Sequence, residues 1–144
     1  MRLLVVDASV AAKWLVWAGE PWEAEALDLL DQRNRGQLEF VVPDLFWSEI
    51  GNILWKAAHR GRCTEAMARD SIRELRNYRI DTALSEPLLE AAFAIAHRYS
   101  RTFYDSLCVA LAVSRGATLV TADEKLANAT AAYLPVKWIG SLSY

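Results

Sequence analysis

At 144 residues, with 53% apolar and 24% charged side chains, the chain is long enough to bury one sizeable core and too mixed for a disordered or fibrous protein. Its formal net charge of -2 does not by itself suggest a polyanionic partner. No stretch approaches the roughly 18 uninterrupted apolar residues of a membrane helix, and the run before Asp7 is too short for a signal peptide. A cytoplasmic protein without membrane association is expected.

Leu3 to Val6 is a short continuous apolar run, as in a strand buried on both faces. Helical patterns follow from about Ser9 to Ala18 and from Pro21 to about Arg35. Pro21 suits a first helical turn and Gly36 a stop. Leu38 to Val42 reads as a second strand. Pro43-Asp44 opens a helix to about Arg60 that Gly61 ends, and Thr64-Glu65 opens another to about Tyr78. A weak strand from Ile80 to Leu84 precedes a helix from Ser85-Glu86-Pro87 to about Tyr99. Tyr104 to Arg115 is helical and stops at Gly116. Ala117 to Thr121 is a strand, Asp123 to Tyr133 a helix, and Val136 to Ile139 a last short strand. Strands alternating with helical crossovers predict a parallel sheet with helices on both faces. With no linker, repeat or low-complexity stretch, one α/β domain over residues 1–144 is expected.

In such sheets, ligands bind beyond the carboxyl ends of the strands. Asp7 ends the first strand in Val5-Val6-Asp7-Ala8-Ser9, and Asp123 follows the fourth in Leu119-Val120-Thr121-Ala122-Asp123. Each is also a favoured helix N-cap. Asp105 stands in Thr102-Phe103-Tyr104-Asp105, which is similar to a capping box, and a helix dipole favours an acid there in any case. Glu49 is harder to explain locally. Its helical neighbours Leu45, Phe46, Asn52 and Ile53 put it at the edge of an apolar stripe, where an uncompensated carboxylate is costly. Carboxylates converging on one sheet edge would repel without a cation. Hard ions such as Mg²⁺ or Mn²⁺ prefer oxygen donors, and an all-carboxylate site of that kind suits phosphodiester hydrolysis. His59 and His97 are isolated and read as surface or helix-end residues. Cys63 and Cys108 have no CxxC or zinc spacing, so reduced thiols are expected.

The four segments Val5-Val6-Asp7-Ala8-Ser9, Ser48-Glu49-Ile50-Gly51-Asn52, Tyr104-Asp105-Ser106-Leu107 and Leu119-Val120-Thr121-Ala122-Asp123, in that order and spacing, resemble the PIN domain. Within it, they resemble the VapC-type toxins of toxin–antitoxin pairs. Each segment is short, and the ordered set carries the resemblance along nearly the whole chain. It implies a three-layer α/β/α fold around a central parallel sheet and Mg²⁺- or Mn²⁺-dependent cleavage of RNA. By position it implies Asp7 and Asp105 as principal metal ligands, with Glu49 and Asp123 completing a catalytic acidic pocket. It places Ser9 and Thr121 where small hydroxyls support the carboxylates, and Asn52 at a polar position near Glu49. A homodimer and a small antitoxin partner are further implications. Cys108 departs from the aromatic or aliphatic residue expected at its position, which bears on packing. Glu124 directly follows Asp123 and could share its role.

The charge is unevenly spread. Residues 1–55 carry 4 basic and 9 acidic side chains, whereas residues 56–79 carry 7 basic and 3 acidic. Arg69, Arg73 and Arg76 share one helical face. They read either as a phosphate-tracking RNA-binding surface or as a solvated face with local ion pairs. The six tryptophans are expected to serve the core or an interface in preference to base stacking.

Other readings are distinguishable. A phosphotransfer or haloacid-type hydrolase using Asp7 as nucleophile would want an acid at position 9, where Ser9 stands. A receiver-like module would want an acid ending the third strand, and Ile80-Asp81-Thr82 matches poorly. A non-catalytic PIN-fold binding module is disfavoured by the intact acid set. An RNA-processing nuclease without an antitoxin remains open on sequence.

Overall fold

The continuous apolar runs form strands covered on both faces. The computed structural model describes residues 2–15 and 20–142. Five strands, β1 (Arg2–Val6), β2 (Leu38–Pro43), β3 (Asp81–Ala83), β4 (Thr118–Thr121) and β5 (Val136–Trp138), make one sheet in the order β3-β2-β1-β4-β5. Every pairing is parallel, for example Val5 opposite Val41 on one side of β1 and Leu119 on the other.

Strand alternation sorts the core into two layers. Leu4 and Val6 with Leu38, Phe40 and Val42 pack against the helices that lead from β1 to β3. These are α1 (Ala8–Ala11), α2 (Glu23–Asn34), α3 (Leu45–His59) and α4 (Glu65–Asn77). Val5, Val41, Leu119 and Val136 face the other way. There α6 (Phe103–Arg115) and α7 (Glu124–Thr130) cover the sheet, and α5 (Leu89–Tyr99) packs on α6. The result is the expected three-layer α/β/α arrangement. No described helix is long and apolar enough to cross a membrane.

Several boundaries differ from the sequence expectation, each for a local reason. The first helix, expected to about Ala18, is only α1 and a 3₁₀ turn at Ala12–Trp14; residues 16–19 lie outside those described. The tighter turn carries Trp14 into the core. Its ring stacks on Phe40 at 5.4 Å and its indole N–H donates to the Ala26 carbonyl at 2.8 Å. α2 begins at Glu23 instead of Pro21, because Trp22 adopts a left-handed backbone (φ 62°) while its ring packs edge-on against Trp138 at 5.1 Å. α7 stops at Thr130, short of Tyr133, where the N–H groups of Tyr133 and Leu134 both turn back to the Thr130 carbonyl. β5 ends at Trp138, and Ile139 enters a 3₁₀ turn. A Cβ on Gly140 in that turn would lie 2.5 Å from the Trp138 ring, so only glycine lets the indole fold over it.

Phe40 is 1% exposed and closes the layer between Trp14 and the sheet. Phe40→Ala should lower folding stability by about 3–5 kcal/mol. Chemical denaturation checks this, and an unchanged midpoint would show that the stack does not anchor this layer.

Candidate metal centre

The strand order reverses direction at β1. The chain leaves β1 toward β2 on one side, and β4 later joins it on the other. The carboxyl edge between β1 and β4 is therefore a topological switch point, where a crevice opens. Asp7 follows β1 and caps α1, accepting the Val10 N–H at 3.2 Å. Asp123 follows β4 and caps α7, accepting the Leu126 N–H at 3.1 Å. Asp105 stands in the first turn of α6, whose cap is Thr102; its hydroxyl accepts the Asp105 N–H at 3.1 Å. Capping and clustering are thus not alternatives. Asp7 and Asp123 do both, and Asp105 stands in a first turn that Thr102 caps.

Asp7 is clasped by two hydroxyls. Ser9 donates to its carboxylate while accepting the Ala122 N–H at 3.2 Å. Thr121, fully buried, hydrogen-bonds the same carboxylate and accepts the Asp123 N–H at 3.0 Å. Both hydroxyls thereby tie the end of β1 to the β4–α7 turn.

The charges of these acids reach one another. Burial is the largest cause raising the Asp7 pKa, opposed by the Ser9, Thr121 and Val10 hydrogen bonds, with Asp105 adding to the rise. Burial also raises Glu49, and the charges of Asp7 and then Asp105 push it further. Asp105 rises through burial, is eased by Thr102, is pushed up by Asp123 and is eased again by Arg101. Glu49 and Asp105 come from helices on opposite faces of the sheet, so the cluster closes over its edge. Two residue pairs anchor the start of the Glu49 helix: the Trp47 indole N–H donates to Thr82 Oγ1 at 2.9 Å, and Asp44 accepts the Ser85 N–H at 3.2 Å and its hydroxyl. Neither brace was foreseen, since it joins residues about 35–40 apart.

Cys108, one turn beyond Asp105, is buried. Burial pushes its thiol well up, and the charges of Asp7, Glu49 and Asp105 push it further. It is a neutral wall of the pocket. Cys63 is also a free, buried thiol.

Among the described residues, no three acids, imidazoles or thiols stand together as a group that could hold a metal ion by themselves. Mg²⁺ does not need one: it keeps several waters and uses one or two carboxylates directly. The donor set fits such an ion. Its oxygens are hard, the Arg101 guanidinium eases the repulsion at Asp105, and among the described residues no histidine or thiolate is seen to compete.

The remaining candidates are less closely tied to the cluster. Asn52 is exposed on α3, without a hydrogen bond to Glu49. Asp123 and Glu124 are both exposed at the start of α7, and the Asp123 charge is felt at Asp105. Arg69 pairs with Glu65 at 2.9 Å and Arg73 with Asp70 at 3.0 Å, both on the exposed face of α4. Arg76 lines a surface cleft with Arg73, Asn77 and Arg79. An apolar groove of about 450 Å³ between α3 and α4, lined by Trp47, Ile50, Ile72 and Leu75, contains none of the four acids.

Asp7, Glu49 and Asp105 each have a folded-state pKa above the unfolded value. Folding therefore takes up protons between the two values. The cluster's cost is absent below the unfolded pKa values, grows as pH rises through the window, and is complete above the raised ones. Asp7→Asn keeps a good helix cap and removes a charge. The metal-free variant should melt higher than wild type at neutral pH, with an advantage that shrinks as pH falls toward 4. Millimolar Mg²⁺ or Mn²⁺ should raise the wild-type melting temperature but not that of Asp7→Asn, Asp105→Asn. Identical pH and metal responses in all proteins would contradict the cluster.

The PIN-domain family matches the chain over residues 4–132. The chain is 34% identical over 127 residues to ribonuclease VapC3 of Pyrobaculum aerophilum, covering 87% of the chain and 92% of that protein. Its fold is similar to the crystal structure of PAE2754 from the same organism, with a TM-score of 0.71 and 26% identity over 98% of this chain and 92% of that one. It also shares a fold with a chain of a toxin–antitoxin complex from Klebsiella pneumoniae (TM-score 0.61, 14% identity, 93% and 95% covered). With the four acids at the switch point, these matches place the chain in the PIN-domain family, in its VapC-type group.

Proposed function

We propose that this chain is a metal-dependent ribonuclease that hydrolyses RNA phosphodiester bonds, acting as the toxin of a type II toxin–antitoxin pair. The observation that carries the reading is the clasp on Asp7. A carboxylate half-buried at the switch point and fixed by two hydroxyls has Glu49 and Asp105 within reach of its charge. Nothing in the packing of the sheet requires that arrangement, and it raises the energy of the metal-free fold. The ribonuclease name of the VapC3 relative supports the same substrate class.

In this reading Asp7 and Asp105 hold the divalent cation, Mg²⁺ or Mn²⁺, with Glu49 and Asp123 completing the pocket. When bound, such an ion lowers the pKa of water and stabilises charge on phosphate oxygens. Ser9 and Thr121 fix the Asp7 carboxylate so that it meets the ion without reorganising. Glu49, with its pKa raised by burial and by the charges of Asp7 and Asp105, is suited to take a proton from the attacking water. Asp123 adds negative charge beside Asp105 and leaves room for solvent, since it is exposed.

The partners follow from the same group membership. A small antitoxin is proposed, supported by the toxin–antitoxin complex that shares the fold. The apolar α3–α4 groove offers it a surface. A homodimer acting in the cytoplasm as a single nuclease domain completes the proposal.

Asp7→Asn or Asp105→Asn should reduce cleavage of structured RNA to background while circular dichroism stays native, and chelation should silence the wild type. Full activity in excess chelator would overturn the metal requirement. The α4 arginines are the second RNA contact in this reading. Exposed ion pairs within one helix are worth only about 0.3–0.5 kcal/mol, so Arg69 and Arg73 can exchange them for phosphate. Replacing Arg69, Arg73 and Arg76 by Gln should flatten the plot of log affinity against log salt by roughly 2 on single-stranded RNA. An unmoved slope would leave α4 as a solvated face.

A further inference from the structure

Among the described residues, Trp55 is the one tryptophan that is exposed, at 61%. It is not loose. Its ring stacks on His59, one turn further along α3, with centroids 5.1 Å apart and planes 8° from parallel. The pair presents a flat aromatic surface to solvent, already held at the spacing and tilt of a π-stack.

Its place on the helix gives it a direction. Glu49, Asn52, Lys56 and His59 follow at i, i+3, i+7 and i+10, a single stripe, and Trp55 borders it. At about 1.5 Å per residue, Trp55 lies roughly 9 Å along the axis from Glu49 and His59 roughly 15 Å. The stripe starts half-buried among the carboxylates and runs into solvent. Between Asn52 and Arg62 there is no acid, while Lys56 and Arg60 are exposed cations.

We propose that the stacked Trp55–His59 pair is a platform for a base of single-stranded RNA, holding a nucleotide that flanks the cleaved bond, with Lys56 and Arg60 beside its phosphates; this rests on the ribonuclease reading above. Aromatic side chains combined with cations are how proteins grip single strands without reading sequence. Charge decides for RNA over a protein partner. Of the other exposed aromatic residues on helices, Tyr104 on α6 adjoins Asp105, and Phe93 on α5 at 66% exposure sits with Leu89 and Glu90; each has an acid beside it, which repels phosphate. Trp55 has the opposite setting and continues from the reactive edge.

The test measures binding of an eight-nucleotide single-stranded RNA to the Asp7→Asn protein, which should hold the strand uncut. Trp55→Ala should weaken binding by roughly one to two orders of magnitude, the range of one base–aromatic stack. Trp55→Phe should keep most of the affinity, and His59→Ala should lose part of it. A strand with an abasic nucleotide at the stacked position should bind the Asp7→Asn protein equally with and without Trp55→Ala. If Trp55→Ala binds as tightly as its parent, the platform is wrong while the nuclease reading stands. If the loss persists at every abasic position, Trp55 serves a protein interface and the proposal falls. If the unmutated chain neither binds nor cuts RNA, the ribonuclease reading fails and takes the platform with it.

Discussion

Partly buried carboxylates that repel one another at the carboxyl edge of a parallel sheet are the constraint around which this fold is arranged. Burial raises the pKa of Asp7, Glu49 and Asp105, and their charges add to one another's cost. A protein selected for stability alone would replace at least one by an amide. The chain instead surrounds the acids with partial compensation. Asp7 and Asp123 cap helices, Asp105 occupies a first turn, and each gains from the helix N-terminus. Hydroxyls of Ser9 and Thr121 supply further donors to Asp7. This compensation is incomplete, which leaves an electrostatic demand for a cation.

Much of the surrounding structure serves to keep that demand localised. The switch point between β1 and β4 brings together residues more than 110 positions apart, as the bond from Ala122 N–H to Ser9 shows. α3 delivers Glu49 from one face of the sheet and α6 delivers Asp105 from the other. Trp47–Thr82 and Asp44–Ser85 pin the start of α3 to the β3 side and so fix the backbone that carries Glu49. Cys108 walls the pocket with a thiol that stays protonated, avoiding a further negative charge and a soft ligand. The same helix that supplies Glu49 then runs outward with cations and an exposed aromatic pair, joining chemistry to a surface.

What the sequence disclosed was what depends on short-range pattern. Continuous apolar runs gave β1, β2 and β4, and a carboxylate after a strand or at the edge of an apolar stripe marked Asp7, Asp123 and Glu49. Pattern failed where tertiary packing overrode propensity. The first helix is cut short because Trp14 turns inward onto Phe40, and α2 starts late because Trp22 is drawn to Trp138. Tryptophan content suggested core or interface, which holds for Trp14, but nothing local distinguished Trp14 from the exposed Trp55. The dual bonding of Ser9 and Thr121 was equally hidden, since each joins backbone and carboxylate across the switch point. The α4 arginines showed the limit of helical-face arguments: one face was foreseen, but the partners Glu65 and Asp70 claim two of the three.

The central claim is that these carboxylates have raised proton affinity and yield it to a divalent cation. Calorimetric titration of Mn²⁺ into the chain, repeated in buffers of different ionisation enthalpy, counts the protons released on binding. Binding should release protons at mildly acidic pH, where acids of raised pKa hold part of their protons, and the release should fade as pH rises. Asp7→Asn should bind more weakly and release fewer. Tight Mn²⁺ binding with no proton release at any pH, or binding unaffected by Asp7→Asn, would contradict the account.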